Sequence, residues 1–277
     1  MSSGNPARAA EPRAPGWLAL LWEFTWKQAW ACVFAGTLLA AILLSAWWWP
    51  FAGIARTDAL FVLAVLMQAA LLISGLERPR EAVVILLFHA LAMAMELFKT
   101  HPAIGSWRYP EPGLIAIAGV PLAAGFLYSA VGSYISRAWH VLELRPHPPP
   151  AWWAALGLAF ASYLNFFTHH ALPDARWVIL LLLVWLYRRT WIGFTLGGRS
   201  RRMPLLLGLV LVALFIWLAE NLATWARVWV YPDQAAGWRP VGVQKLIAWL
   251  LLMHFSFVLV ALVMRPRSTP RTGQLPS

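Results

Sequence analysis

Eight long apolar runs divide this chain, and they constrain its fold more than any other feature. They lie near residues 28–48, 59–76, 82–98, 114–136, 151–168, 177–194, 204–224 and 244–264. A helix needs roughly 20 apolar residues to cross a hydrocarbon layer of about 30 Å. Lipid offers no partners for backbone N–H and C=O groups, so such spans fold as helices. The sequence therefore predicts an all-α, polytopic transmembrane helix bundle with about eight spans, in a transmembrane domain over 28–265.

The composition excludes both a soluble domain and a nucleic-acid binder. Of 277 residues, 61% are hydrophobic and only 12% are charged, against about 25% charged residues in a soluble domain. The net charge of +11 comes from Lys and Arg in short loops between apolar runs, where basic residues set topology. We therefore expect the lipid bilayer as the partner and no nucleic acid.

The basic residues also predict the orientation. With eight spans both termini lie on one side, and that side collects 15 Lys and Arg residues, against 7 on the other. Short basic loops stay in the cytoplasm, so both termini are predicted to be cytoplasmic. The largest single contribution comes from five arginines that follow the sixth run: Arg188, Arg189, Arg199, Arg201 and Arg202.

The two ends of the chain are predicted as cytoplasmic tails. Residues 1–27 contain Trp22 and Trp26, and Trp30 continues the same four-residue spacing. This spacing favours an amphipathic helix in the headgroup layer, although an extension of the first span explains it equally well. Residues 266–277 are predicted to form a disordered tail. Cys32 is the single cysteine, so we expect neither a disulfide framework nor a cysteine metal site.

One short pattern occurs twice. Glu96 is followed by Trp107-Arg-Tyr-Pro, and Glu220 is followed by Trp229-Val-Tyr-Pro. The glutamates are 124 residues apart and the Trp-x-Tyr-Pro segments 122 apart, which is close to half the chain. Four predicted spans separate the copies, so both glutamates point the same way. The pattern predicts two parallel four-helix repeats that face one shared site.

Each glutamate ends an apolar run, at a depth where a carboxylate is costly and is a functional candidate by default. These residues also have purely structural explanations. The glutamates would then reach the lipid headgroups, the aromatic residues would form a belt at the membrane surface, and the paired histidines would lie in an ordinary solvent-exposed loop. The functional hypothesis is a single site on the extracytoplasmic side, formed by three groups of residues. The catalytic candidates are Glu96, Glu220 and Asp174; the substrate-binding candidates are Trp107, Tyr109, Trp217, Asn221, Trp229 and Tyr231; the metal-ligating candidates are His101, His169 and His170.

The imidazole candidates raise the question of a metal. Imidazole and carboxylate together are ligands of zinc and of non-haem iron. The spacing matches no dedicated metal motif, so a Zn or Fe cofactor is one hypothesis beside metal-free acid–base chemistry.

Three segments carry a family resemblance: Glu96-Leu-Phe-Lys-Thr-His-Pro with the Trp-Arg-Tyr-Pro that follows, Asn165-Phe-Phe-Thr-His-His, and Phe215-Ile-Trp-Leu-Ala-Glu-Asn. They resemble the YoaT-like family of uncharacterised bacterial integral membrane proteins, from about residue 60 to 265. The resemblance implies a multi-pass protein of the bacterial inner membrane and implies no activity. A shorter stretch that ends at Val120-Pro121 is similar to membrane carotenoid-modifying proteins of the hydratase type.

The best functional hypothesis is a membrane-embedded enzyme that acts on a lipid or isoprenoid by acid–base or metal-assisted chemistry. A proton- or cation-coupled transporter is the first alternative, and a membrane scaffold or assembly factor is the second. Transport needs a polar route to both sides, yet the cytoplasmic half offers few polar residues beyond Gln68, His254 and Ser256. This asymmetry favours the enzyme.

Overall fold

The computed structural model describes residues 16–264, and most of them are helical. Residues 1–15 and 265–277 lie outside the described part, and they include the first part of the predicted N-terminal tail (1–27) and the whole predicted C-terminal tail (266–277). The helices agree with the predicted fold class, a predominantly helical bundle. They are α1 (Trp17–Ala31), α2 (Val33–Trp47), α3 (Arg56–Ile73), α4 (Pro79–Thr100), α5 (Ala123–Val141), α6 (Trp152–Thr168), α7 (Arg176–Tyr187), α8 (Leu205–Trp225) and α9 (Gln244–Met264).

The predicted count of about eight spans is not confirmed. Within residues 16–264, four helices are long and apolar enough to cross a membrane, namely α3, α4, α8 and α9, and the bent pair α1 and α2 would make a fifth. The predicted span 177–194 is wrong at its end, because α7 stops at Tyr187, before the two arginines, and has 12 residues. The predicted span 114–136 begins too early, because α5 starts only at Ala123.

Short strands occupy parts of these two predicted spans. β1 (Ala116–Ile117) and β2 (Val120–Pro121) form a hairpin before α5. β3 (Arg145–His147), β4 (Trp191–Leu196) and β5 (Arg199–Pro204) form an antiparallel sheet in that order. Gly197 and Gly198 connect β4 to β5 with φ of 60° and 68°. A two-residue hairpin turn with positive φ at both positions strongly favours glycine, which explains this Gly-Gly pair.

The helices pack as two matching halves. In the first half α2 and α3 pack against α5, and α4 packs against α5; in the second half α6 and α7 pack against α9, and α8 packs against α9. The contacts between halves correspond as well, since α2 meets α8 while α6 meets α4. α5 meets α9 at the centre. This arrangement agrees with the predicted pair of four-helix repeats.

α4 and α5 approach each other closely because glycines face large rings. A Cβ atom added at Gly132 would lie 2.9 Å from Phe88 Cδ2, and one added at Gly125 would lie 2.5 Å from His89 Nδ1. The two glycines are seven residues apart, so they share one face of α5. Small residues allow helices to pack tightly in a membrane, where dispersion forces drive association. This contact fixes the height of α5 relative to α4.

α1 diverges from α2 by 72° at a break next to Cys32. Its tryptophans Trp17, Trp22 and Trp26 are exposed, as expected for a helix that lies along a membrane surface. Lys27 Nζ donates to Thr195 O at 3.0 Å and pairs with Glu23 at 2.8 Å. α1 is therefore fastened to strand β4.

The loops gather at two opposite ends of the bundle. The site end consists of loops 48–55, 101–122, 169–175 and 226–243, which contact one another: Arg56 Nη1 donates to Ala226 O at 3.2 Å. The basic end consists of loops 74–78, 142–151 and 188–204 together with α1, where Thr195 N donates to Leu142 O at 2.9 Å. Both glutamates of the repeated pattern lie toward the site end, and the arginine-rich hairpin lies at the basic end.

Candidate functional site

Glu96 lies in the last part of α4, is 2% exposed, and accepts three hydrogen bonds. Trp107 Nε1 and Tyr109 OH both donate to Glu96 Oε2 at 2.8 Å. Tyr128 OH, from α5, donates to Glu96 Oε1 at 2.8 Å. The Trp-x-Tyr-Pro segment therefore folds back over its own glutamate, and α5 completes the cradle.

Glu220 lies in α8, is 3% exposed, and has a cradle of the same design. Tyr231 OH donates to Glu220 Oε1, and Trp249 Nε1, from α9, donates to Glu220 Oε2 at 2.7 Å. Tyr231 is the counterpart of Tyr109 in the repeat. Trp249 takes the place that Tyr128 has in the first half, at a separation of 121 residues.

The two copies meet directly. Arg108 N donates to Val230 O at 3.0 Å, and Val230 N donates to Arg108 O at 2.9 Å. These residues are the middle positions of the two Trp-x-Tyr-Pro segments. Equivalent residues that exchange reciprocal contacts are the mark of a two-fold axis, and here the axis relates the two halves of one chain.

Aromatic rings fill the space between the cradles. The ring centroids of Trp107 and Tyr231 are 6.1 Å apart, and those of Tyr128 and Trp249 are also 6.1 Å apart. Lys245 Nζ lies 4.2 Å from the Tyr231 ring centroid and 5.9 Å from that of Trp107. This is the distance at which a cation is attracted to an aromatic face.

The two loop tyrosines act as hydroxyl donors. Burial, reinforced by the charge of Glu96, raises the pKa of Tyr109 well above its usual value, and burial with the charge of Glu220 does the same for Tyr231. Both phenols therefore keep their protons near neutral pH. A carboxylate held by neutral N–H and O–H donors remains free to exchange a proton with a substrate.

A small apolar cleft lies beside the cradles, with a cavity volume of about 30 Å³. Tyr128 and Trp249 belong to its wall, so the donors to both glutamates border the same space. The remaining wall is almost entirely apolar: Phe88, Leu91, Ala92, Met95, Val131, Tyr163, Ile216, Leu252, Met253, Phe255 and Ser256.

A second polar cluster at the site end joins α4 to the loop after α6. Lys99 is 3% exposed, and its Nζ lies 2.7 Å from His170 Nε2 and 3.3 Å from His169 Nε2. His169 Nδ1 lies 2.7 Å from Asn165 O. Since a carbonyl only accepts, Nδ1 carries the proton and Nε2 is the acceptor for Lys99.

Several predicted site residues lie outside the cradles. Asp174 pairs with Arg176 at 2.5 Å, while His101 is exposed beyond α4. Trp217 Nε1 donates to Val241 O at 3.2 Å, and Asn221 Oδ1 accepts from Val241 N at 2.8 Å, so these two hold the loop before α9. Trp229 is the other loop tryptophan of the repeat. It packs against buried apolar residues of both halves, and its side chain donates a hydrogen bond to Tyr231.

The metal hypothesis is not tested by this geometry. Among residues 16–264, no group of three or more His, Cys, Asp or Glu side chains is arranged to hold a metal ion. His169 and His170 do lie together, with ring centroids 4.1 Å apart, and both direct Nε2 toward Lys99. A Zn or Fe site at this pair stays a prediction.

Sequence reasoning missed four residues that complete the arrangement, namely Tyr128, Trp249, Lys99 and Lys245. Tyr128 and Trp249 lie inside apolar helices, where an aromatic residue is ordinary. The signal that could have identified them is their separation of 121 residues, which nearly repeats the 122-residue separation of the loops.

The end of the bundle that is predicted to be cytoplasmic, the basic end, contains more buried polar groups than the sequence suggests. At the basic end Arg137 Nη2 contacts Glu77 Oε1 at 2.8 Å, and both side chains are buried. Ser133 Oγ donates to the same oxygen at 2.6 Å, and Gln68 Nε2 donates to Glu77 Oε2 at 2.5 Å. Glu77 lies in a loop and Arg137 near the end of α5, so neither stood out from its run in the sequence.

Comparisons with known proteins identify relatives without an assigned activity. The family model described as protein of unknown function (DUF817) matches residues 20–257. A curated relative, the uncharacterized protein YoaT of Bacillus subtilis (strain 168), is 42% identical over 239 residues, which cover 86% of this chain and 89% of the relative. The resemblance inferred from the sequence is thereby confirmed. No solved structure gives a significant match.

Proposed function

This chain belongs to the DUF817 family, and we propose that it is a membrane-embedded enzyme that acts on a lipid or isoprenoid by acid–base chemistry at Glu96 and Glu220. The proposal places it in the bacterial cytoplasmic membrane as a multi-pass protein with both termini in the cytoplasm. The site end then faces away from the cytoplasm, as the distribution of basic loops favours.

The observation that carries the proposal is the shared wall of the cleft. Tyr128 and Trp249 each donate to one glutamate, and both border the apolar space below. A chain-like apolar substrate that enters by displacing the side chains of this wall would present its reactive carbon beside Tyr128 and Trp249, the donors to the two carboxylates. Pockets of this kind, apolar with a few convergent polar groups, are the usual form of a small-molecule site.

The chemistry follows from the position of Tyr128. Its hydroxyl lies between Glu96 and the cleft, so when Glu96 is protonated Tyr128 can pass its own proton to a substrate and take up the Glu96 proton, which leaves the carboxylate that the three donors hold. Glu220 can accept the proton that the substrate loses on the other side. The faces of Trp107 and Trp249 would stabilise positive charge that develops on an alkene-containing substrate.

Substrate trapping tests this proposal. Wild type, Glu96→Gln and Glu220→Gln are purified under identical conditions, and their bound lipids are compared by mass spectrometry. We expect both variants to accumulate one lipid class that wild type converts. Glu111→Gln is the matched control, because the Glu111 side chain is 58% exposed at the same loop. An identical lipid content in wild type and both variants would refute the proposal.

Proton-coupled transport is the second candidate, and the buried polar groups of the basic end favour it. One face of α5 carries three buried serines, Ser129, Ser133 and Ser136. This row of hydroxyl groups extends from Tyr128 toward the Glu77–Arg137 pair. Proteoliposomes that contain a pH-sensitive dye measure proton flux directly. A flux that Glu96→Gln abolishes and Glu111→Gln leaves intact would select transport over the enzyme.

A further inference from the structure

Lys99 is a buried cation without an acidic partner. Its side chain is 3% exposed, and its hydrogen-bonding neighbours are the two imidazoles of His169 and His170. None of the ion pairs within residues 16–264 joins Lys99 to a carboxylate. A buried charge is ordinarily paired, because an isolated one loses its hydration without compensation. Lys99 therefore has unused capacity to bind an anion.

Neighbouring residues add further positive charge around Lys99. Lys245 and Arg176 are close enough to act on Lys99 electrostatically, and the acid that acts there is Asp174. Asp174 is already engaged, since it pairs with Arg176 at 2.5 Å and accepts from Asn165 Nδ2 at 3.1 Å. Lys99 thus lies near two further cations, and its one acidic neighbour, Asp174, is already paired; Glu220 and Asp233 act on Lys245.

The cluster continues the wall of the apolar cleft. Ala92 and Met95 line the cleft, and Lys99 follows them on α4 at seven and four residues, which places all three on one face. A series of edge-to-face and tilted ring contacts makes the same connection from α6. Tyr163 lines the cleft, and its ring centroid lies 5.2 Å from that of Phe167. The Phe167 centroid lies 5.1 Å from that of Phe98, which in turn lies 6.0 Å from that of His170.

We propose that Lys99, with His169 and His170, binds the phosphate-type head group of an amphiphile whose apolar chain lies in the cleft. This inference rests on the proposed function and narrows its substrate to a lipid or isoprenoid that carries a phosphate. Lysine binds phosphate as a point charge, and Lys245 adds a second ammonium on the side of the glutamates. The reactive part of the chain then lies beside Tyr128 and Trp249.

Ligand-dependent unfolding, followed by the intrinsic fluorescence of the 19 tryptophans, tests the proposal. The probes are farnesyl phosphate, farnesol and inorganic phosphate. We expect wild type to bind farnesyl phosphate about tenfold to hundredfold more tightly than farnesol, as a hydrogen-bonded charge predicts. Lys99→Met should remove that preference, and Lys99→Arg should keep part of it. Lys27→Met, which removes a lysine at the basic end, is the matched control and should keep all of it.

The stability of Lys99→Met without ligand gives a second readout. Removing an unpaired buried charge should leave the melting temperature unchanged or raise it. A melting temperature far below that of wild type, with Lys99→Arg binding both farnesyl probes equally, would make the lysine structural and overturn the head-group site.

Other outcomes separate this inference from the proposed function. Equal binding of farnesol and farnesyl phosphate to wild type, lost in the cleft-filling variant Ala92→Phe, would refute the head-group site and leave the proposed function standing. Protection by inorganic phosphate alone, as strong as that by farnesyl phosphate, would assign the cluster to free phosphate and refute the lipid head group. No protection by any probe would refute both.

Discussion

Glu96 gives the most informative prediction, because its three donors make two substitutions differ sharply. Glu96→Gln keeps the shape of the side chain and one carbonyl oxygen. That oxygen can still accept from Trp107 and Tyr109, while the amide NH₂ faces Tyr128, whose hydroxyl can turn round and accept. Glu96→Leu keeps the bulk and leaves all three donors without an acceptor.

The magnitudes follow from the contacts. In Glu96→Gln, three charge-assisted bonds of about 1.5–3 kcal/mol become neutral ones of about 0.5–1.5 kcal/mol. This loss is offset by removal of the desolvation cost of the carboxylate, about 2.5–3.5 kcal/mol on insertion scales. The net change in the free energy of unfolding should be within about 2 kcal/mol.

Glu96→Leu has no such compensation. Each orphaned donor costs about 1–3 kcal/mol when buried, and Tyr109 is buried whereas Trp107 and Tyr128 are half-buried. The total should reach roughly 3 kcal/mol or more, which corresponds to a drop in Tm of at least about 6 °C. Thermal unfolding of the purified protein in detergent measures both variants.

The comparison refutes the reasoning in two ways. If Glu96→Gln and Glu96→Leu melt at the same temperature, the three hydrogen bonds do not stabilise the fold. If Glu96→Gln melts far below wild type, the carboxylate is a structural charge, and the interpretation of the cradle as a functional site is wrong. Function should be lost in Glu96→Gln even though its stability is nearly unchanged.

Three further predictions concern topology, pH and the second cradle. A reporter fused after residue 105 should be extracytoplasmic and one fused after residue 195 cytoplasmic; reversed signals in an alkaline phosphatase assay would invert the proposed orientation. Burial, and next to it the charge of Lys99, lowers the pKa of His169 and His170. The unfolded chain therefore takes up protons at these histidines before the folded one does, so stability is kept above about pH 6.5 and is lost as the pH falls below it. Thermal unfolding at pH 7.5 and 5.5 should show this loss, and replacing both histidines with glutamine should flatten the profile. Trp249→Phe removes one donor from a buried carboxylate and should lower the free energy of unfolding by about 1.5–3 kcal/mol, measured by chemical denaturation against Trp153→Phe, an exposed position.

The repeat was readable from the sequence because it places rare residues at a fixed separation. Glu96 and Glu220 stand out because a carboxylate is unusual in an apolar run, and the Trp-x-Tyr-Pro segments mark the loops that return to them. The helical class followed from the lengths of the apolar runs alone.

The remaining features depend on tertiary contacts. Nothing in the apolar run that contains Trp249 indicates which turn of α9 faces Glu220, because every side of that run is apolar. The end of α7 at Tyr187 was missed because Trp191–Leu196 is as apolar as a helix of the same length, and the run alone does not distinguish strand from helix. The pairing of Glu77 with Arg137 joins residues 60 apart, which no local pattern encodes.

The bridge between Arg108 and Val230 has a consequence for how the two halves can change over time. It is made of peptide groups alone, so it does not depend on which side chains occupy its two positions. The protein already illustrates this freedom, since one position has an exposed arginine and the other a valine that is 2% exposed. A joint made of main chain keeps the halves aligned while their side chains diverge. Each half is then free to acquire its own donors around its glutamate, as Tyr128 in one half and Trp249 in the other show.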